Sequence, residues 1–199
     1  MKRAVFLDRE GTVITLGDTA GRLTDIKYLR LLPGATSAIR LLNDAGFVVI
    51  IHTNRTVIAW GQMSEKELQH IHEVLCERLR EKGARIEAVY YCPHHPDAPL
   101  KKYRKVCKCR KPKSGMIQEA LKKYQVKASE SFMVGDSSKD ILAGKRAGLR
   151  TILVWTGNFG KEYGAVSVEP DYIAKNLLAA ALYIKKKGPH SIKRRLVLH

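Results

Sequence analysis

No stretch of this chain runs apolar for anything near the ~20 residues that a membrane-spanning helix needs, so no membrane anchor of that kind is expected. The opening residues MKRAVFLDRE reach an acid after one short apolar stretch, residues 4–7, which argues against a secretory signal and for a cytoplasmic protein. Acid is scarce: 19 Asp and Glu face 36 Lys and Arg, a formal net charge of +17. Residues 101–125 carry ten Lys/Arg and a single acid, Glu119, and residues 185–199 carry six Lys/Arg and none. Such a surplus favours anionic partners: phosphorylated metabolites, nucleic acid or an anionic surface. The basic tail KKKGPHSIKRR lacks the interleaved aromatics of a nucleic-acid platform, and a solvated helix end explains it more simply. Cysteine is scarce as well, with four, at 76, 92, 107 and 109. Cys76 shares a helical face with Leu68, Ile71, Leu75 and Leu79 and is expected to be a core thiol. The other three crowd one segment, which in a reducing compartment points to a metal rather than a disulfide.

The 199 residues suffice for one domain with a sizeable core, and a monomer is expected. Short runs rich in β-branched and aromatic residues, AVFL (4–7), FVVII (47–51), IEAVYY (86–91), SFMV (131–134) and TILV (151–154), read as strands. Their near-continuous hydrophobicity suggests a parallel sheet covered on both faces. Helical patterns fall between and after them at 34–45, 64–82, 114–124, 138–147 and 175–187, the second with the Ser64/Glu67 spacing of a capping box. Alternating strands and helices predict a single α/β domain over residues 1–187, a Rossmann-like parallel sheet, with residues 188–199 as a separable basic tail.

Ligands of such sheets bind beyond the carboxyl ends of the strands. Asp8 and Glu10 follow the first run, Thr53 and Asn54 the second, and Asp136 the fourth, so these polar groups converge on one edge. A carboxylate nucleophile attacking a phosphoryl group needs its charge neutralised, by a lysine and a divalent cation. Separately, Cys92-x-His94 and Cys107-x-Cys109 supply three thiolates and an imidazole, a tetrahedral zinc set; His95 competes with His94, and the two-residue spacing favours His94. Four protein ligands close such a site, so the zinc is expected to be structural.

Taken in order, DREGT, TN, the lysine of CRKP and GDSSKD resemble the signatures of the haloacid dehalogenase superfamily of phosphatases, over about residues 3–185. The resemblance implies that Asp8 attacks phosphorus and that Thr53 and Lys111 hold the transferring group. It implies Mg²⁺ on Asp8, the carbonyl of Glu10 and Asp136, with Asp140 orienting. It makes Glu10 the acid–base group. The motifs YYCPHHP and CRKP, joined by the cysteine loop at 92–109 with no large cap, resemble the heptose 1,7-bisphosphate 7-phosphatases and the related histidinol-phosphate phosphatases. That likeness implies a sugar bisphosphate substrate, with Arg110, Asn54 and Arg55 as substrate contacts. The alternatives are a phosphatase-fold protein of low activity that binds anions or a partner, and a phosphatase acting on histidinol phosphate or nucleic-acid ends. The sequence departs from that pattern at several places. The family has Asp where Glu10 stands, reads TNQSGIARG where this chain reads TNRTVIAWG, and usually has Lys at Ser137. Glu10 adds one methylene to a group whose placement matters, so reduced turnover is expected.

Overall fold

The computed structural model describes residues 1–17, 23–162 and 165–187; the expected basic tail, 188–199, lies outside the described residues. In chain order the elements are β1 (Arg3–Leu7), α1 (Ala35–Asp44), β2 (Phe47–Asn54), α2 (Thr56–Ala59), α3 (Glu65–Arg80), β3 (Ala88–Cys92), α4 (Gly115–Lys123), β4 (Phe132–Gly135), α5 (Ser138–Arg146), β5 (Arg150–Val154), β6 (Tyr172–Ala174) and α6 (Leu177–Lys186). Among the described residues the strands form one sheet, ordered β3-β2-β1-β4-β5-β6, with every neighbouring pair parallel. All five expected strands and all five expected helices are present, within a few residues of their expected ends.

Side chains alternate along each strand, so the continuous apolar runs serve two cores. Val5 and Leu7 face one core with Ile39 and Leu42 of α1, Leu68 and Leu75 of α3, and Ala180 and Ile184 of α6. Ala4 and Phe6 face the other with Ile117 and Ala120 of α4 and Ala143 of α5. The Ser64–Glu67 capping box forms in both directions and starts α3.

Two elements escape the sequence reading. β6 is three residues long, two of them exposed, too short for a periodic signal. The four-residue helix α2 lies inside the second motif. One boundary matters for the site: Thr53 and Asn54, expected after the second strand, are its last two residues, paired with Tyr91 and Cys92 of β3. Parallel ladder bonds are made by the backbone and run on regardless of side-chain polarity.

Strand order reverses beside β1: the chain leaves it first toward β2 and β3, then returns to add β4, β5 and β6 on its other side. The carboxyl ends of β1 and β4 therefore lie together at a topological switch point. Helix α5, which starts just after β4, is drawn tightly onto the sheet at Gly144. A Cβ there would lie 2.6 Å from Met133 Cβ and 2.9 Å from Thr151 Cγ2. Gly144→Ala should therefore destabilise the protein by about 1–3 kcal/mol, the usual cost of overpacking, measured by urea unfolding. Unchanged stability would mean that α5 stands further from the sheet than described.

Candidate active site

Asp8 leaves the end of β1 with its amide donating to Val134 O of β4 at 2.9 Å, so backbone pairing continues to the ends of the two strands. Asp136 follows β4, and Asp140 occupies the first turn of α5. All three carboxylates are buried, and each offers an oxygen within 4.8 Å of the others. Asp140 Oδ2 accepts from the Ser137 amide at 3.1 Å and its hydroxyl at 2.7 Å, a capping box that fixes the helix start. Asp136 Oδ2 accepts from the Asn158 amide at 2.7 Å and side chain at 2.9 Å. Gly11 lets the loop after β1 close over Asp136. Its φ of 75° is left-handed, and a Cβ would stand 2.4 Å from Asp136 Oδ2.

Lys111 enters this group from the loop between β3 and α4. Its Nζ donates to Asp8 Oδ1 at 2.7 Å and to Asp140 Oδ1 at 2.5 Å, and is 3.4 Å from His52 O. Asn54 holds the backbone of Lys111 from both sides, donating to its carbonyl at 3.1 Å and accepting from its amide at 3.0 Å. Burial, then the neighbouring carboxylates, push Asp8 and Asp136 above the usual carboxylate range, against the pull of Lys111. Three buried carboxylates sharing one ammonium form a donor set of hard oxygens suited to Mg²⁺.

Glu10 lies in different surroundings. Its Oε1 accepts from Arg9 Nη2 at 2.8 Å and from Arg55 Nη1, and its Oε2 from Arg9 Nε and Thr53 Oγ1, each at 3.3 Å. Arg9 is fully buried and places Nη1 2.6 Å from His72 Nε2. Burial, then the Arg9 and Arg55 cations, push His72 down to about 3, so its neutral ring accepts that bond. Although burial works in the opposite direction, Arg55 and Arg9 hold the Glu10 carboxyl well below the usual carboxylate range. Arg9 and His72 were absent from the sequence expectations. An arginine between two acids reads as a solvated turn, and a histidine beside Ile71 on the apolar face of α3 reads as core. Only the fold, which joins positions 63 residues apart, couples them.

Cys92, at the end of β3, converges with His94, Cys107 and Cys109 of the loop that follows. Cys109 Sγ is 3.0 Å from Cys92 Sγ and 3.2 Å from Cys107 Sγ, with His94 Nδ1 3.5 Å away. His95 points elsewhere, packing edge-on against Trp60 at 4.7 Å. Three sulfurs and one imidazole nitrogen fit a structural Zn²⁺. Cys76, partly exposed, stays apart from them. Arg110, beside this cluster, donates to His94 O at 3.3 Å. With Lys105, Lys111, Lys113 and Arg146, and with the apolar Pro96, Val106 and Pro112, it lines a cavity of about 230 Å³.

Residues 108–180 match the family model described as HAD-hydrolase-like. The chain is 39% identical over 158 residues, 78% of this chain and 85% of the relative, to the D-glycero-beta-D-manno-heptose-1,7-bisphosphate 7-phosphatase of Haemophilus ducreyi. It is 33% identical over 192 residues, 96% of this chain and 97% of the relative, to an enzyme of the same name from Photorhabdus laumondii. Among solved structures, the D,D-heptose 1,7-bisphosphate phosphatase of B. bronchiseptica, complexed with magnesium and phosphate, superposes with a TM-score of 0.81 at 31% identity. That match covers 94% of this chain and 100% of the other. This degree of likeness, over nearly the whole chain, makes it a haloacid dehalogenase-like phosphatase belonging to the heptose-1,7-bisphosphate 7-phosphatase family.

Proposed function

We propose that this chain hydrolyses a phosphomonoester of a small sugar bisphosphate, D-glycero-D-manno-heptose 1,7-bisphosphate, through an aspartyl-phosphate on Asp8. The observation that carries the reading is the single ammonium of Lys111 held between Asp8 and Asp140 at the switch point of the sheet. In the first step an Asp8 carboxylate oxygen attacks phosphorus, the bond to the sugar oxygen breaks, and that oxygen takes up a proton by way of Glu10, the acid–base group. In the second, water attacks the same phosphorus, its proton passes to Glu10, and the bond to Asp8 breaks, releasing Asp8 and inorganic phosphate. Lys111 offsets the charge gathered at the transferring group, and Thr53, at the end of β2, helps to hold that group. Mg²⁺ held by Asp8, Asp136 and the Glu10 carbonyl would supply further charge neutralisation and orient the phosphoryl oxygens. Asp140 positions Lys111.

The basic cavity beside Lys111 supports a substrate carrying a second phosphate, with Arg110 as its principal contact and Asn54 fixing the loop that presents it. The named relatives act on such a bisphosphate. All these residues precede position 163 of one chain, which supports a monomer acting through residues 1–187. A thiolate metal set is at home in a reducing compartment, which supports a cytoplasmic enzyme.

Asp8→Asn should abolish turnover, read as phosphate released from the heptose bisphosphate; retention of most of the parent rate would overturn the covalent route. Arg110→Ala should raise KM for the bisphosphate by about tenfold, the worth of one charge-assisted contact, while leaving KM for a monophosphate nearly unchanged. Equal effects on both would remove Arg110 from the second-phosphate site. Elemental analysis should find about one Zn²⁺ per chain, as a four-ligand structural site demands. Stripping it should lower both thermal stability and activity, and Zn²⁺ rather than Mg²⁺ should restore them. A metal-free protein of unchanged stability would contradict the assignment.

A further inference from the structure

Two of the positions at which this chain departs from its family, Glu10 and Arg55, touch each other. Arg55 Nη1 donates to Glu10 Oε1, and the oxygen is shared with Arg9 Nη2 at 2.8 Å. The second oxygen receives Arg9 Nε and Thr53 Oγ1, both at 3.3 Å. A carboxylate offers about four lone-pair positions, and here four donors occupy them. Each guanidinium is also held from behind: Arg9 by His72 Nε2 at 2.6 Å, and Arg55 by Leu23 O, which accepts from Nη2 at 2.8 Å. Both arginines are buried, so solvent screens these contacts little. The clamp belongs to the packed interior, joining the loop after β1 to the end of β2 and to α3.

This arrangement has a kinetic consequence, which rests on the aspartyl-phosphate reading above. Formation of that intermediate from an ester with a good leaving group needs no proton donor: the phosphorus–oxygen bond breaks and the leaving anion departs. Breakdown is different. Water must give up a proton as its oxygen bonds to phosphorus and the bond to Asp8 breaks, and the acceptor that the family resemblance assigns is the side chain at position 10. A carboxylate whose lone pairs are filled by Arg9, Arg55 and Thr53 has none to offer that water. We propose that Arg55 is a positioning residue that holds Glu10 in this four-donor state, so that with an ester whose leaving group needs no acid, hydrolysis of the aspartyl-phosphate is the slow step and the phosphorylated enzyme accumulates during turnover. Arg55 thereby sets the balance between the two half-reactions without touching the phosphoryl group.

The test uses the Mg²⁺-loaded enzyme and p-nitrophenyl phosphate, whose leaving group needs no acid. The parent should release a burst of about one nitrophenolate per enzyme before a slow steady state, and acid quenching should trap a covalent phosphoryl group on Asp8. Arg55→Gln, which installs the family's residue, should shrink the burst and raise the steady-state rate by about tenfold, the lower part of the range for general acid–base catalysis. Arg55→Lys, which keeps a cation there, should retain the burst. In a Glu10→Asp background, Arg55→Gln should change the steady state by far less than it does in the parent, because the shorter carboxylate is no longer held. A parent that traps phosphoryl enzyme but shows no burst overturns the slow-step assignment without needing any variant. A folded Arg55→Gln protein with unchanged burst and rate, or an equal effect of Arg55→Gln in both backgrounds, overturns the role of Arg55. Turnover with no trappable phosphoryl group in any of these proteins refutes the aspartyl-phosphate reading itself, a separate failure from that of the clamp.

Discussion

The ammonium of Lys111 is the interaction on which the site depends. Asp8, Asp136 and Asp140 arrive from β1, β4 and α5, and nothing in a parallel α/β sheet obliges three carboxylates to be buried together. Two of them stand within 2.7 Å of Lys111 Nζ. At about 4 Å and an effective dielectric near 20, two unit charges interact by roughly 4 kcal/mol. Packing these acids together without a cation would therefore consume much of the stability of a small domain. The ends of β1 and β4 can stay adjacent because the lysine comes to them from a different part of the chain.

That lysine is delivered by a loop with little regular structure, so its placement needs other restraints. Two are visible. Asn54 takes both the amide and the carbonyl of Lys111, tying the loop to the end of β2. Immediately before it, Cys107 and Cys109 gather with Cys92 and His94 around a zinc-type donor set. Cys92 ends β3, and Asn54 pairs with it in the ladder. Metal donors, amide bridge and strand register thus converge on one backbone segment. A structural metal there would fix the position of that buried cation.

Much of this was legible in the sequence because it is local. Five apolar runs gave the strands, and the acids and polar residues that follow them fell on one sheet edge. The two-residue spacing favoured His94 over His95, and the sulfurs do surround His94. What could not be read is long-range. Thr53 and Asn54 were expected beyond β2 because polar side chains suggest a strand's end, whereas the parallel ladder carries on through them. Arg9 is fully buried against His72 of α3, a partner 63 residues away that no local pattern announces. The contact between Arg55 and Glu10 likewise joins positions 45 residues apart, which only the fold brings together. Periodicity registers which face a residue occupies and is silent about which distant residue it meets.

The two acidic groupings of the site differ in sign once their partners are counted. Around Asp8 three buried carboxylates share one ammonium, leaving an excess of negative charge. Around Glu10 one carboxylate faces the guanidiniums of Arg9 and Arg55, leaving an excess of positive charge. Thr53, near the end of β2, is bonded to Glu10. A divalent cation would relieve the first imbalance, whereas the second is held within the packed interior. Neither region would serve with the opposite arrangement: arginines beside Asp8 would exclude the metal, and free acids beside Thr53 would repel the phosphate. The position of each charge, more than the net +17 of the chain, is what suits this cleft to a phosphate ester.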